Sequence, residues 1–346
     1  MPQLEAMVLR SHGGPEVLQR ETIEIAEPGP REVQVRVRAV AMNHMDLWVR
    51  RGLPHLKHEY PFRLGCDIAG VVEALGPGAR VVKIGDEVLV QPGVSCGVCG
   101  ACLAGRDNLC KRYGILGEST QGGYGERMVI ADTNLLPKPA SLSFEQASAL
   151  PLCLLTAWQM VFRKAEVKAG QTVLVQAAGS GVSSLAIQLC KLAGARVITT
   201  TGTDEKAARA SELGADHVIN YAKQDFLVEV KKLTDKAGVD VVLDHVGGEV
   251  FEKSVLATKW GGRVVTCGAT AGFAPKIDLR QIFFRQVEVR GSTMGSKGDL
   301  CEAMLAVAAG KVKPVVDRVV PLWDARAAHE ALEARQAFGK VVLAVP

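Results

Sequence analysis

Hydrophobic and polar positions change their period along this chain. Over 32–40 they alternate, Val33, Val35 and Val37 against Gln34, Arg36 and Arg38. Period two predicts a strand with one buried face. Further short strands are predicted at 70–75 and 86–90, parted by turns such as Gly76-Pro77-Gly78. Residues 1–10 also read as a strand. A partly antiparallel β domain is therefore expected up to about residue 150. Near 143 the period becomes helical. Ser143 with Gln146 three residues on is a capping-box pair, and one long helix is expected through 164. From 171 onward, near-continuous apolar runs rich in β-branched residues stand at 172–177, 196–201, 239–246 and 263–268. Such runs fit strands buried on both faces. Helical stretches at 183–193, 204–213, 225–234 and 248–257 lie between them. Alternating β and α predicts a doubly wound parallel sheet. The end is mixed again: a helix at 297–309, a strand at 315–320, a helix at 324–335 and a strand at 340–345. This reads as the chain returning to complete its first domain. The expected division is 1–152 with 293–346, and 153–292.

Length agrees with two domains, since 346 residues exceed the usual single core. Net charge is +4 with the signs mixed along the chain, which lacks the clustered Lys/Arg of a nucleic-acid footprint. No apolar run approaches the ~20 residues that span a bilayer. The first ten residues carry Glu5 and do not read as a signal peptide. The expectation is a cytoplasmic protein with neither nucleic acid nor membrane as a partner.

Four cysteines share one short loop: Cys96, Cys99, Cys102 and Cys110, spaced C-x2-C-x2-C-x7-C. Closely spaced thiolates are the donor set of structural zinc. An iron–sulfur cluster also takes four cysteines and is the lesser alternative. A disulfide pair fits poorly, because the other five cysteines are scattered singly, as in a reducing compartment. One zinc per chain is expected here.

A second motif is Ala178-Gly179-Ser180-Gly181-Val182-Ser183, where the strand at 172–177 turns into a helix. Small residues there let a pyrophosphate approach the backbone at a helix N-terminus. Set against G-x-G-x-x-G, the glycine positions hold Ala178, Ser180 and Ser183, with Gly179 and Gly181 beside them. The next strand ends Thr199-Thr200-Thr201-Gly202-Thr203 without the carboxylate that would hold the ribose of NAD(H). Thr201, Thr203 and Lys206 are instead candidates for a 2′-phosphate. NADP(H) is thus expected over NAD(H), although Asp204 and Glu205 stand next door.

These residues, with Gly65-Cys66-Asp67-Ile68-Ala69-Gly70 and Gly122-Gly123-Tyr124-Gly125-Glu126, occur in an order that resembles the medium-chain dehydrogenase/reductase superfamily. That superfamily contains zinc alcohol dehydrogenases and quinone oxidoreductases. The resemblance covers essentially the whole chain. It implies a GroES-like β domain with a cysteine lobe, an inserted Rossmann domain, and nicotinamide and substrate in the cleft between them. It places Val246, Cys267, Gly268, Ala269 and Ser292 at the nicotinamide and Lys340 at the phosphates. It implies pairing of 287–291 across a two-fold axis, hence a homodimer or homotetramer.

The departures from the family are informative. The catalytic-zinc cysteine of the alcohol dehydrogenases is Asn43 here, and the proton-relaying hydroxyl is Met45. Their Gly-His-Glu is Gly65-Cys66-Asp67, and their last cysteine ligand falls on Leu152, one residue before Cys153. Asn43 and Asp46 resemble the zinc-free quinone oxidoreductase branch, whose frequent Tyr is Trp48 here. The resemblance thus implies an NAD(P)H-dependent oxidoreductase acting on an activated C=C, quinone or carbonyl substrate, with structural but no catalytic zinc. The candidate site residues are Asn43, His44, Asp46, Trp48, Cys66 and Asp67. His44, with an unperturbed pKa of about 6.5, is a candidate proton donor and reads equally as an ordinary exposed or core histidine. Asp46 reads equally as a helix cap, Cys66 and Cys153 as small buried hydrophobes, and His55 and His58 as surface residues. Two other readings stay open: a zinc alcohol dehydrogenase, and a non-catalytic NADPH-binding structural protein.

Overall fold

The computed structural model describes residues 2–54 and 56–346; Met1, at the head of the first expected strand, and His55 lie outside them. The alternation over 32–40 becomes the strand Glu32–Ala41, with Val33, Val35 and Val37 fully buried. At about 1.5–3 kcal/mol for each fully buried side chain of this size, that face alone fixes the strand's register. The chain divides into two compact units.

The first unit comprises Met1–Leu152, Ser296–Glu302 and Pro314–Pro346. Its main sheet runs in the order Val316–Pro321, Lys340–Ala344, Glu32–Ala41, Asp67–Leu75, Glu87–Val90 and Leu135–Pro137, and Arg127–Ala131 also pairs with Glu32–Ala41. The pairing is antiparallel except between the first two strands. The C-terminal strand therefore completes a sheet begun by the N-terminal segment, as the mixed pattern suggested.

The second unit comprises Cys153–Gly295 and Ala303–Lys313, so part of the expected return segment belongs to it. Its six strands are all parallel. They run in the order His217–Asn220, Arg196–Thr201, Thr172–Val175, Val239–Asp244, Thr258–Thr266 and Glu288–Gly291. The order reverses direction between Thr172–Val175 and Val239–Asp244. In open α/β sheets the crevice outside the strand C-termini at such a switch point is where ligands bind.

One expected element is broken. Ser143 and Gln146 form the capping box of a short helix, Phe144–Ser148. The single helix expected through 164 does not follow from it. Pro151 has no N–H to give and disfavours helical backbone at Leu150. A new helix opens at Pro151–Trp158 and widens into a π-helical stretch at Gln159–Lys164.

A buried polar network ties the C-terminal helix Ala325–Glu333 to the rest of the first unit. Arg50 Nη1 donates to His329 Nδ1 at 3.2 Å. His329 Nε2 lies 3.1 Å from the Tyr124 hydroxyl, and Glu333 caps the Arg50 fork. With Nδ1 accepting, the remaining ring hydrogen sits on Nε2 and goes to Tyr124. Burial, with the Arg50 charge, pulls His329 down to about 3. The unfolded chain then binds the extra proton first, near pH 6.5, and native stability falls as pH drops below that value. His329→Gln keeps hydrogen-bonding atoms without the titration. The stability advantage of the wild type over this variant is expected to shrink by about 2 kcal/mol between pH 6.5 and 5. A gap that stays constant in urea melts across that range would overturn the assignment.

Candidate functional site

In the first unit, register brings three distant segments to one sheet end. Ala41 pairs with both Asp67 and Val342. Asn43, two residues beyond Ala41, therefore meets Lys340, two before Val342, and the start of the strand that Asp67 opens. A glycine precedes each charged group, Gly65 two residues before Asp67 and Gly339 directly before Lys340. Gly65 has φ +90°, and a Cβ there would stand 2.5 Å from the Tyr124 ring. Gly339 has φ +95°, with the Val315 carbonyl 2.3 Å from its Cβ position. No other residue takes either place without strain.

The side chains that meet there are buried and mutually satisfied. Lys340 Nζ donates to Asp67 Oδ2 at 2.8 Å and to Asn43 Oδ1 at 2.6 Å. Asn43 Nδ2 donates to the same Asp67 oxygen at 2.9 Å and to Cys66 Sγ at 3.3 Å. The other Asp67 oxygen accepts the Leu152 N–H at 2.6 Å. Lys340 is only 4% exposed and Asp67 and Cys66 not at all. Lys340, expected at the phosphates, is instead the cation of a buried ion pair. Periodicity could not reveal this, because the partner lies 273 residues away.

Asp46 joins the cluster through backbone. One oxygen accepts the Asn43 N–H at 2.7 Å, capping the helix His44–Arg51; the other accepts the Gly65 N–H at 3.0 Å. Burial pushes its carboxyl up to about 6, against the pull of those two N–H groups and of Lys340. Asp46 thus fixes the loops carrying Asn43 and Cys66 to one another. His44 stands exposed at the first position of that helix, and Trp48 is half-buried at the edge of the core. His58, expected on the surface, is half-buried with Nε2 2.6 Å from the Glu118 carbonyl.

The four cysteines of the lobe converge. Their Sγ atoms all lie within 4.8 Å of one another, with close pairs at 3.5–3.9 Å. Tetrahedral Zn–S bonds of about 2.3 Å would place sulfurs about 3.8 Å apart, so the residues fit a structural zinc. Backbone N–H groups of Val98 and Cys99 bring Cys96 down to about 5, while burial pushes Cys102 up to about 11.

In the second unit, the turn after Thr172–Val175 lies at the switch point. Ser180 caps the helix Gly181–Leu192, its Oγ accepting the Ser183 N–H at 2.9 Å. The Ala178 N–H bonds the Thr200 carbonyl at 2.9 Å. Beneath the turn runs a buried polar chain. Thr200 donates to Gln176 Oε1, Gln176 Nε2 to Ser254, and Ser254 to Asp244, whose other oxygen accepts the N–H groups of Val246 and Gly247. His245 reaches both Ser180 and Ser183 through Nε2. Neither His245 nor Gln176 was singled out from the sequence. The only signal was their place at the C-terminal ends of two neighbouring strands.

The other residues expected around the nicotinamide and the 2′-phosphate lie in this unit as well. Ser292, expected at the nicotinamide, is 6% exposed, and its Oγ has no hydrogen-bond partner among the described residues. An orphaned buried hydroxyl is what a missing polar ligand group would leave behind. Val246, Cys267, Gly268 and Ala269 follow the ends of the strands Val239–Asp244 and Thr258–Thr266, with Cys267 pushed up to about 12 by burial. At the end of Arg196–Thr201, the Thr203 hydroxyl caps the next helix by accepting the Lys206 N–H at 3.2 Å. Thr201 Oγ1 donates to the Thr203 carbonyl. Asp204 is engaged by Asn220 and Lys223.

Comparison with known proteins agrees with both units. The family model for the alcohol dehydrogenase GroES-like domain matches residues 29–140, and that for zinc-binding dehydrogenase matches 181–309. An NAD-dependent alcohol dehydrogenase of Sulfolobus acidocaldarius is 31% identical, covering 99% of this chain and 100% of the relative. Quinone oxidoreductase 1 of Escherichia coli is also 31% identical, over 96% and 97%. A solved structure of an NAD-dependent alcohol dehydrogenase superposes with a TM-score of 0.95 at 50% identity, over 99% of this chain and 100% of the other.

The buried pair makes a direct prediction. Lys340→Met strands a carboxylate in the interior and is expected to cost about 3–5 kcal/mol. Adding Asp67→Asn removes the stranded charge and should recover most of that loss. Urea denaturation at pH 7 measures both; a Lys340→Met variant within about 1 kcal/mol of wild type would mean that the pair is not held as described.

Proposed function

Because this chain belongs to the medium-chain dehydrogenase/reductase superfamily, we propose that it is an NADPH-dependent reductase of activated C=C, quinone or carbonyl groups in small molecules. It is an NAD(P)-dependent oxidoreductase; the choice of substrate, the preference for NADPH and the absence of a catalytic zinc are the proposed part. The observation that carries the reading is the buried cluster of Asn43, Cys66, Asp67 and Lys340. A catalytic zinc takes three protein donors and keeps one position open. Here position 43 offers an amide, the carboxylate of Asp67 is already neutralised by Lys340, and the Cys66 sulfur accepts from Asn43. The positive charge at this place is a lysine's.

The cofactor, when bound, supplies the hydride. The chain's residues do the rest. The turn 178–182 and the helix N-terminus behind it hold the pyrophosphate, and Ser292, Val246 and 267–269 hold the nicotinamide. Thr201, Thr203 and Lys206 receive the 2′-phosphate. The structure supports this preference, since the nearby Asp204 is already engaged by Lys223 and Asn220. Asn43, held by Lys340 and Asp46, presents a fixed amide near the acceptor, and exposed His44 delivers the proton. Four thiolates leave no open position, so the zinc of the cysteine lobe stabilises the fold.

A second reading, a zinc alcohol dehydrogenase, is favoured by the 50% identity to a solved alcohol dehydrogenase. The two separate cleanly. The reductase reading expects one zinc per chain, turnover of enones, quinones or aldehydes, and kcat/KM at least about tenfold higher with NADPH than NADH, the size of one charge-assisted contact. Two zincs per chain with oxidation of simple alcohols would overturn it. A preference for NADH would remove the cofactor assignment alone.

Two further readings accompany this one. No disulfide joins any of the nine cysteines among the described residues, which suits a reducing compartment such as the cytoplasm. The strand Glu288–Gly291 ends its sheet with Val289 exposed, and Trp260, Phe283 and Phe284 are exposed in the same unit. Such an edge invites a second copy, so a homodimer or homotetramer is expected. A monomer mass by light scattering would refute it.

A further inference from the structure

Hydroxyl groups allow an accounting of hydrogens around His245. Ser183 Oγ donates its one proton to the Gln176 carbonyl at 2.6 Å. Toward His245 Nε2, 3.0 Å away, it can therefore only accept, so Nε2 carries a hydrogen. The same nitrogen lies 2.9 Å from Ser180 Oγ and forks its hydrogen to both serines. Ser180 Oγ already accepts the Ser183 N–H. Both lone pairs of Ser180 are then in use, and only its own proton is left to give. Burial holds the His245 imidazole below its ordinary value, so near pH 7 a single ring nitrogen bears hydrogen.

The position of this serine gives the accounting a consequence. Ser180 caps a twelve-residue helix at the topological switch point, where the dinucleotide turn lies. The His245 carbonyl in turn accepts the Thr270 N–H at 3.3 Å, tying this residue to the loop after Cys267–Ala269. We propose that His245 is a positioning residue for the cofactor: by donating from Nε2 it makes Ser180 an obligate donor, and the Ser180 hydroxyl bonds a pyrophosphate oxygen of the bound dinucleotide. An acceptor-saturated hydroxyl matches an anion and rejects a ligand donor. The proposal rests on the assignment of the dinucleotide to this turn.

The test uses the purified protein and four variants: Ser180→Ala, His245→Leu, His245→Gln and the double variant Ser180→Ala/His245→Leu. Dissociation constants for NADPH and NADH are measured by fluorescence titration. His245→Leu and Ser180→Ala are each expected to weaken binding about tenfold, as loss of one hydrogen bond to a charged group does. His245→Gln, whose amide nitrogen donates from nearly the same place, should stay within about threefold of wild type. The double variant should bind no more weakly than Ser180→Ala. Should His245→Leu fail to fold, His245→Asn replaces it, since its shorter amide does not reach Ser180. Wild-type affinity in His245→Leu, failure of the Gln rescue, or losses that multiply in the double variant would each overturn the proposal. A wild-type protein that binds neither dinucleotide would overturn the cofactor assignment along with it.

Discussion

A carboxylate with no exposure to water must find a partner or give up its charge, and Asp67 finds Lys340. Much of the first unit's architecture follows from that requirement. Desolvating either ion alone costs several kcal/mol, so each needs the other held at hydrogen-bond distance. The lysine comes from the last strand, the aspartate from near the start, and Asn43 fills the gap between them. The C-terminal strand is thereby part of the site as well as of the sheet. Gly65 and Gly339 take positive φ beside these residues without strain, where a Cβ would meet the Tyr124 ring or the Val315 carbonyl.

The same economy governs the second unit, where no full charge is paired beneath the turn and hydroxyls, an amide and a carboxylate are linked in series. Each polar side chain is engaged, from Thr200 through Gln176 and Ser254 to Asp244. A chain of this kind tolerates little rearrangement, because one unmet group costs more than one met group contributes. It fixes the ends of two strands at the switch point. Among the described residues of this unit, Ser292 Oγ and Trp158 Nε1 are buried without a hydrogen-bond partner.

The two units differ in how they carry chemistry. In the first, Asp67 and Lys340 form a buried ion pair with Asn43 between them, and His44 stands exposed nearby. In the second, Ser180 caps a helix N-terminus at the switch point and is held by His245. Both arrangements are preorganised by packing around them, which is where such sites derive their electrostatic strength.

What the sequence determined is whatever depends on local spacing. Val33, Val35 and Val37 set a strand, four cysteines in one loop set a metal lobe, and β-branched runs between helices set a parallel sheet. Each follows from contacts within a few residues, or from burial, which residue type alone predicts. Pro151 was equally legible and was overridden by the helical pattern around it, although its missing N–H ends a helix whatever follows. The tertiary structure decided the rest. Lys340 became an ion-pair partner because antiparallel register places residue 340 beside 43 and 67. His245 became a donor to two serines because strand order put Ser180 and Ser183 within about 3 Å of it. Pairings between residues hundreds of positions apart leave no periodic trace in a single chain; they exist only once the sheet has closed.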